Sequence, residues 1–305
     1  MGWSSLSQYI RFLEDQGDLL RVSHPVDLKF EAGCIADRLV KSGGPAVVFD
    51  QPRLDDGTIS RFPLAMNLFG TRKRTKMALG VEEVSEIGEM MVGLMKPDIG
   101  AIIKAPWKGI GLLRQGISMA PRRVSKGYCQ QVRISEPDVS RLPIPTTWPK
   151  DGGPFMTLPL VVTADPTTGT HNMGMYRSQV FGPKSVGLHW QKHKHGADHA
   201  DVSDGRMPVS ICLGGPPELI FSAISPLPDN LSEYEFAGLI SGKRRRITTC
   251  LTTDLWVPAD GDFVIEGYTK LGDTRTEGPF GDHFGHYSLE EEYPVMHVTG
   301  ITHMK

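Results

Sequence analysis

His171 to His199 reads HNMGMYRSQVFGPKSVGLHWQKHKHGADH, and no other stretch of the chain gathers so many polar side chains. Met173 to Phe181 alternates as a strand does, with Arg177 inside the run; Gly182 and Pro183 mark a turn, and Val186 to Trp190 starts a second strand. The spacing predicts a β-hairpin with an overlong loop. Asn172 stands at the mouth of the first strand and His193 just past the end of the second, and in an antiparallel pair those ends meet. An amide oxygen and an imidazole nitrogen make part of a site for a hard divalent ion, provided a carboxylate joins them.

The segment SEYEFAG, residues 232–238, offers that carboxylate. Ser232 reads as a helix N-cap and Glu235 falls at the capping-box position, which leaves Glu233 as the candidate. An acid in the first turn is also favoured by the helix dipole, so Glu233 has a purely structural reading too. A second charged cluster is EGPFGDHFGHY, residues 277–287, where Glu277 and Asp282 flank a Gly-Pro-Phe-Gly turn. Two carboxyls across a tight turn can converge, and like charges held close raise one pKa, giving an acid still protonated near neutrality. Arg177 is their natural counter-ion. Such a grouping suits a reaction in which a carboxylate is held and a proton delivered. The alternative is that both acids cap the turn.

The chain has 305 residues and a net charge of −2, which gives no electrostatic case for nucleic acid or an anionic membrane. The KRRR run at Lys243 to Arg246 reads as a solvated turn, and Glu290, Glu291 and Glu292 as a solvated acidic run. Cys34, Cys129, Cys212 and Cys250 lack any CxxC spacing and read as buried reduced thiols. The opening residues carry no signal-peptide pattern and no stretch approaches membrane-spanning length, so a cytoplasmic location is expected. No GxGxxG, Walker loop, HExxH or GxSxG occurs, which removes support for nucleotide hydrolysis, zinc proteolysis and serine hydrolysis.

In order, the pattern predicts an amphipathic helix over Ser5 to Gln16, a strand at LLRVSH, and a helix from Glu31 to Lys41. A buried strand follows at Pro45 to Phe49, another at PLAMNLFG, and then a methionine-rich helix from about Thr75 to Met95 whose stripe reads as core. Residues 1–120 are thus expected to form an α/β domain. The run PWKGIGLLRQGISMAPRRVSKG reads as an irregular, basic connection. Beyond it, residues 121–305 carry short strand candidates, among them CQQVRI, LPLVVTAD, MPVSICLG, ELIFSAIS, ITTCLTTD, DFVIEGY and VMHVTGI, with one helix. The expectation is α+β overall, with a β-barrel or sandwich as the second domain. The GGPFMTLPL loop at residues 152–160 could offer amides to an anion, though Gly-Gly-Pro is more commonly only a turn.

NMGMYR, HWQKHK, SEYEFAG and EGPFGDHFGHY, in this order and spacing, resemble the UbiD family of decarboxylases, which use prenylated FMN. The likeness extends to the opening residues and GGPAVVFD, and so covers the whole chain. It implies a split β-barrel of the FMN-binding type for residues 121–305. It implies that Asn172, His193 and Glu233 ligate a Mn²⁺-type ion, with or without K⁺ or Na⁺, that bridges to the cofactor phosphate. His195 competes with His193; WQKH favours His193. Met175, Tyr176, Arg177, His189, Trp190, Gln191, Lys194 and His195 match positions that line the cofactor. Arg177, Glu277 and Asp282 match the catalytic residues, with Asp282 as the proton donor.

The resemblance implies reversible, non-oxidative decarboxylation of an aromatic acid, phenolic or naphthoic, or of an α,β-unsaturated acid. A flavin prenyltransferase would supply the cofactor. Family members carry a further C-terminal oligomerisation domain, and this chain stops at Lys305. The other expectation is therefore a truncated or split subunit that binds cofactor or a partner without catalysing alone. Either way association is expected, as a homo-oligomer or with the missing part.

Overall fold

Ser5 accepts a hydrogen bond from the Gln8 amide (3.1 Å) and so starts helix α1 (Leu6–Asp15). The computed structural model describes residues 2–95, 106–190, 205–228, 231–282 and 284–305. After α1 come strands β1 (Leu19–Val22) and β2 (Val26–Asp27), helix α2 (Glu31–Lys41), and strands β3 (Ala46–Phe49), β4 (Pro52–Arg53) and β5 (Leu64–Met66). The sheet order is β1-β3-β5, with β1 and β3 parallel. β3 lies in the middle with every residue buried. Ala46 packs with Tyr9 and Leu13 of α1 on one face, and Val47 and Phe49 pack with Ala32 of α2 on the other. That is why AVVF is a continuous apolar run instead of an alternating one.

The methionine-rich segment is two helices, α3 (Arg72–Leu79) and α4 (Ser85–Met95), where the pattern predicts one. Gly80 in the left-handed region (φ 68°) ends α3, its amide donating to the Lys76 carbonyl. Met90 and Met91 pack on a cluster that includes Leu79, Ile87, Phe236 and Leu239, so the stripe is core. A second correction concerns the expected irregular connection, which is helix α5 (Pro106–Met119). Proline at its first position needs no partner for a missing N–H. A methyl group at Gly238 would collide with the Ser118 carbonyl, so glycine there lets the end of α5 lie directly against the neighbouring helix.

The rest of the chain runs β6 (Arg122–Arg123), β7 (Val132–Arg133), β8 (Phe155–Met156), β9 (Leu160–Ala164), β10 (His171–Met175), β11 (Ser178–Gly182), β12 (Ser185–Leu188) and β13 (Arg206–Leu213). Helices α6 (Pro217–Ser222) and α7 (Glu233–Ser241) follow, then β14 (Arg246–Thr249), β15 (Trp256–Pro258), β16 (Phe263–Glu277) and β17 (Glu291–His303). ELIFSAIS, expected as a strand, falls in and after α6; Pro216 and Pro217 remove two amides that a strand ladder would use and suit a helix start.

Met173 to Phe181 is likewise not one strand. β10 pairs with β9, while β11 pairs with β12 and β8, and the sheet runs β10-β9-β13-β16-β17-β12-β11-β8. β10 and β11 are thus six steps apart, about 29 Å in a flat sheet. Yet Tyr176 and Arg177 alone join them, a link that spans at most about 11 Å. The sheet must therefore curl until those two strands come near, and among the described residues no ladder bonds close the gap. Ile211, Ile265 and Val161 fill one side of it; Cys212, Val264 and Val162 alternate to the other side, under α6, α7 and the small sheet β15-β14-β6. Cys129, Cys212 and Cys250 are buried thiols as expected, whereas Cys34, expected to be buried with them, is exposed on α2.

Asp262, at the foot of β16, is half-buried against the Gly214–Gly215 turn, with its Oδ1 buried and lacking a partner among the described residues. Burial pushes its pKa from 3.8 up to about 7. The folded state thus keeps a proton that the unfolded chain has lost, so stability present below pH 3.8 drains as pH rises to about 7 and then levels. Asp262→Asn is expected to flatten that slope, with a clear gain in unfolding free energy at pH 8 and almost none at pH 4 by denaturant titration.

Candidate active site

β16 and β17 form a long ribbon whose last pair is Glu277 opposite Glu291, and residues 278–290 are its loop. That loop is docked at several points. Gln179 Oε1 accepts from the Gly278 amide (2.8 Å). The Gly152 amide donates to the Pro279 carbonyl (2.8 Å), and Asp151 accepts from the amides of Gly281 and Trp148 (2.8 Å each). A side chain at Gly152 would strike the Gly278 carbonyl, and one at Gly281 the Trp148 ring. The Gly-Gly-Pro loop that could have received an anion thus commits its Gly152 amide to holding this turn.

Glu277 is fully buried. One carboxylate oxygen accepts from Arg177 Nε (3.0 Å) and lies 2.9 Å from a terminal guanidinium nitrogen; the other lies 3.2 Å from His189 Nδ1. Arg177 also donates to Ser288 Oγ (3.1 Å), and its guanidinium covers the Phe280 ring at 4.8 Å. The His189 amide donates to the Arg177 carbonyl (3.2 Å), extending the β11–β12 pairing by one residue. Arg177 is therefore placed by the crossing between β10 and β11, His189 by the strand beside it, and Glu277 by the ribbon's end. A buried carboxylate with a guanidinium and an imidazole around it is a paired charge; removing either partner would strand it.

Asp282 differs from the expectation that it converges with Glu277. Its Oδ1 accepts from the amides of Phe284 and His286 (2.9 Å each), which folds the carboxylate onto its own loop. Short acids favour such local bonds to amides two and four residues on. Glu277 meanwhile turns to Arg177 and His189, so the two acids hold different partners.

The second group lies at β10 and the start of α7. Ser232 and Glu235 form the capping box. Glu233 Oε2 accepts from the Met173 amide (3.2 Å), giving an acceptor to an N–H on the outer edge of β10. The Met175 amide donates to the Ala223 carbonyl in the same way. The Tyr176 hydroxyl is near Asn172, and its pKa is raised by burial and by the Glu233 charge. The Asn172 amide nitrogen is buried without a partner among the described residues. Turned over, that amide would present its oxygen in the same place, the donor type a hard cation takes. These residues fit a divalent ion. Trp190 is buried, its indole nitrogen also lacking a partner among the described residues. Gln191, His193, Lys194 and His195 lie outside the described residues.

Sequence reasoning missed Ser288, Gln179 and Asp151. Asp151 beside Gly-Gly carried a turn signal; nothing marked Ser288, which also accepts from the Phe280 amide (3.1 Å).

Residues 122–305 match the family described as the 3-octaprenyl-4-hydroxybenzoate carboxy-lyase Rift-related domain (UbiD), and residues 10–91 its N-terminal domain. An "uncharacterized protein" of Archaeoglobus fulgidus is 43% identical over 307 residues, covering 99% of this chain and 62% of that protein. Among solved structures, an evolved dimeric form of the UbiD-class enzyme HmfF from Pelotomaculum thermopropionicum, in complex with prFMN, gives a TM-score of 0.85 at 24% identity. It covers 99% of this chain and 66% of that one. Vanillic acid decarboxylase of Sedimentibacter hydroxybenzoicus in its closed form gives 0.85 at 24%, covering 100% and 63%. The mixed α and β fold expected from the sequence is thus shared with these enzymes, and the chain spans under two thirds of their length. Among the described residues no helix is long and apolar enough to cross a membrane.

Proposed function

The chain belongs to the UbiD family, and from that premise we propose that it is a carboxy-lyase acting reversibly on an aromatic or α,β-unsaturated acid with prenylated FMN. The observation that carries this reading is the Arg177–Glu277–His189 cluster under the loop that bears Asp282. Bound prenylated FMN supplies the electron sink for loss of CO₂. The rest is the work of this chain. Glu277 spends both oxygens fixing Arg177 and His189, so it orients instead of shuttling protons. Arg177, 19% exposed while its partner is wholly buried, is the group that can still meet a substrate carboxylate. Asp282 is the acid left to protonate the carbon.

Asn172 and Glu233, with His193, would hold Mn²⁺, and the ion would supply positive charge to the bound cofactor. Residues 1–120 and 121–305 act as separate domains in this reading, the second carrying the cofactor, which a flavin prenyltransferase supplies. A second reading, a subunit that needs a partner to work, is favoured by Val92, Leu113 and Ile117, which are 61%, 65% and 55% exposed on α4 and α5.

Co-expression with a flavin prenyltransferase, followed by Mn²⁺ and a panel of phenolic, naphthoic and cinnamic-type acids under anaerobic conditions, tests the proposal. Bound prenylated FMN and CO₂ release are expected. Cofactor without CO₂, together with a light-scattering mass that rises with concentration, would favour the subunit reading.

A further inference from the structure

Each of the two candidate ligands seen here has a neighbour tied to the same residue, Trp256. His171, beside Asn172, accepts from the Trp256 amide through Nε2 (3.1 Å), and its ring lies 4.6 Å from the Trp256 ring at 8°. Tyr234, beside Glu233, donates its hydroxyl to the Trp256 carbonyl (2.8 Å). Trp256 can serve both because β15 is the edge of its small sheet. Leu255 makes the inward bond to Cys250, so the main-chain groups of Trp256 face away from β14. An edge N–H and C=O left bare would cost stability; here side chains from two other elements complete them. The His171 ring is fixed at its other nitrogen as well, Nδ1 lying 3.1 Å from the Gly169 carbonyl. The Arg123 guanidinium also covers the Trp256 ring at 3.6 Å. β10 and α7 are further joined directly by the Met173–Glu233 bond.

We propose that His171 and Tyr234 are positioning residues: they hang strand β10 and helix α7 on the Trp256 main chain and so set the spacing of Asn172 and Glu233. The inference rests on the metal-site reading given above. Neither residue touches the ion; a side chain that holds a ligand's neighbour tunes affinity through geometry.

The experiment uses the full chain with Mn²⁺ and FMN as probes. Mn²⁺ affinity is read by electron paramagnetic resonance and the Met173 amide by hydrogen exchange. His171→Ala and Tyr234→Phe are each expected to weaken Mn²⁺ binding about 10-fold and to speed Met173 exchange, with the Val47 and Ile265 amides unchanged. His171→Gln, which restores an acceptor, should recover most of both. In a Glu233→Gln background the two substitutions should have no further effect on Mn²⁺, an interaction that general destabilisation would not produce. Wild-type Met173 exchange in both variants would overturn the brace, and so would faster exchange with unchanged Mn²⁺ affinity. If the unmodified chain binds neither probe, the metal-site reading fails and the Met173 amide still decides the brace.

Discussion

Asp282→Asn is expected to cut CO₂ release by about 10²- to 10⁴-fold, the range that a placed acid contributes, while bound flavin stays at the unmodified level. The substitution is informative because of what Asp282 does in the fold. Its Oδ1 takes two amide bonds that shape the loop, from Phe284 and His286. An asparagine oxygen can take the same two bonds, so the loop keeps its form and only the ionisable proton is lost. Asp282→Ala would remove both and confuse folding with catalysis. Glu277 cannot stand in, since it is buried and both its oxygens are engaged by Arg177 and His189. A CO₂ assay beside the flavin absorbance spectrum separates the outcomes, and a full rate in the variant would end the assignment of Asp282.

Much of the fold was legible because its signals are local. Capping at Ser5 and Ser232, the helix at Glu31–Lys41 and the buried AVVF strand follow from spacing over a few residues, and the structure has them. What failed was long-range. MGMYRSQVF alternates well enough for one strand, and nothing within it says that the chain leaves one sheet edge at Met175 and re-enters the sheet at Ser178 between β12 and β8. That break is set by the curl of the whole sheet, and it is what puts Arg177 opposite the end of the β16–β17 ribbon. ELIFSAIS failed for a related reason: its apolar run suits strand and buried helix alike, and packing of α6 on α7 under the sheet decided it. The sequence marks both acids, but the bonds from the Phe284 and His286 amides that hold Asp282 Oδ1 on its own loop come from residues with no pattern to betray them.

The same distinction between structural and chemical roles governs Glu233, whose replacement by alanine is expected to cost about 100-fold or more in Mn²⁺ affinity, the upper end of what outer-shell partners command. Cofactor should be lost with the metal, because an ion held between Asn172 and Glu233 is what would neutralise its phosphate. Alanine also deprives the Met173 amide of its acceptor at the edge of β10, a loss of about 1–3 kcal/mol for a buried donor, so a fall in melting temperature alone proves nothing. Glu233→Gln resolves this. Its amide oxygen can still accept from Met173, and it keeps the helix start beside the Ser232–Glu235 capping box, yet it brings no charge to a cation. If Glu233 is a ligand, the glutamine variant melts like the unmodified protein and still loses Mn²⁺ and flavin on gel filtration. If its role is only to finish the strand edge and favour the helix dipole, the glutamine variant retains flavin in full, and the ion must be sought elsewhere in the chain.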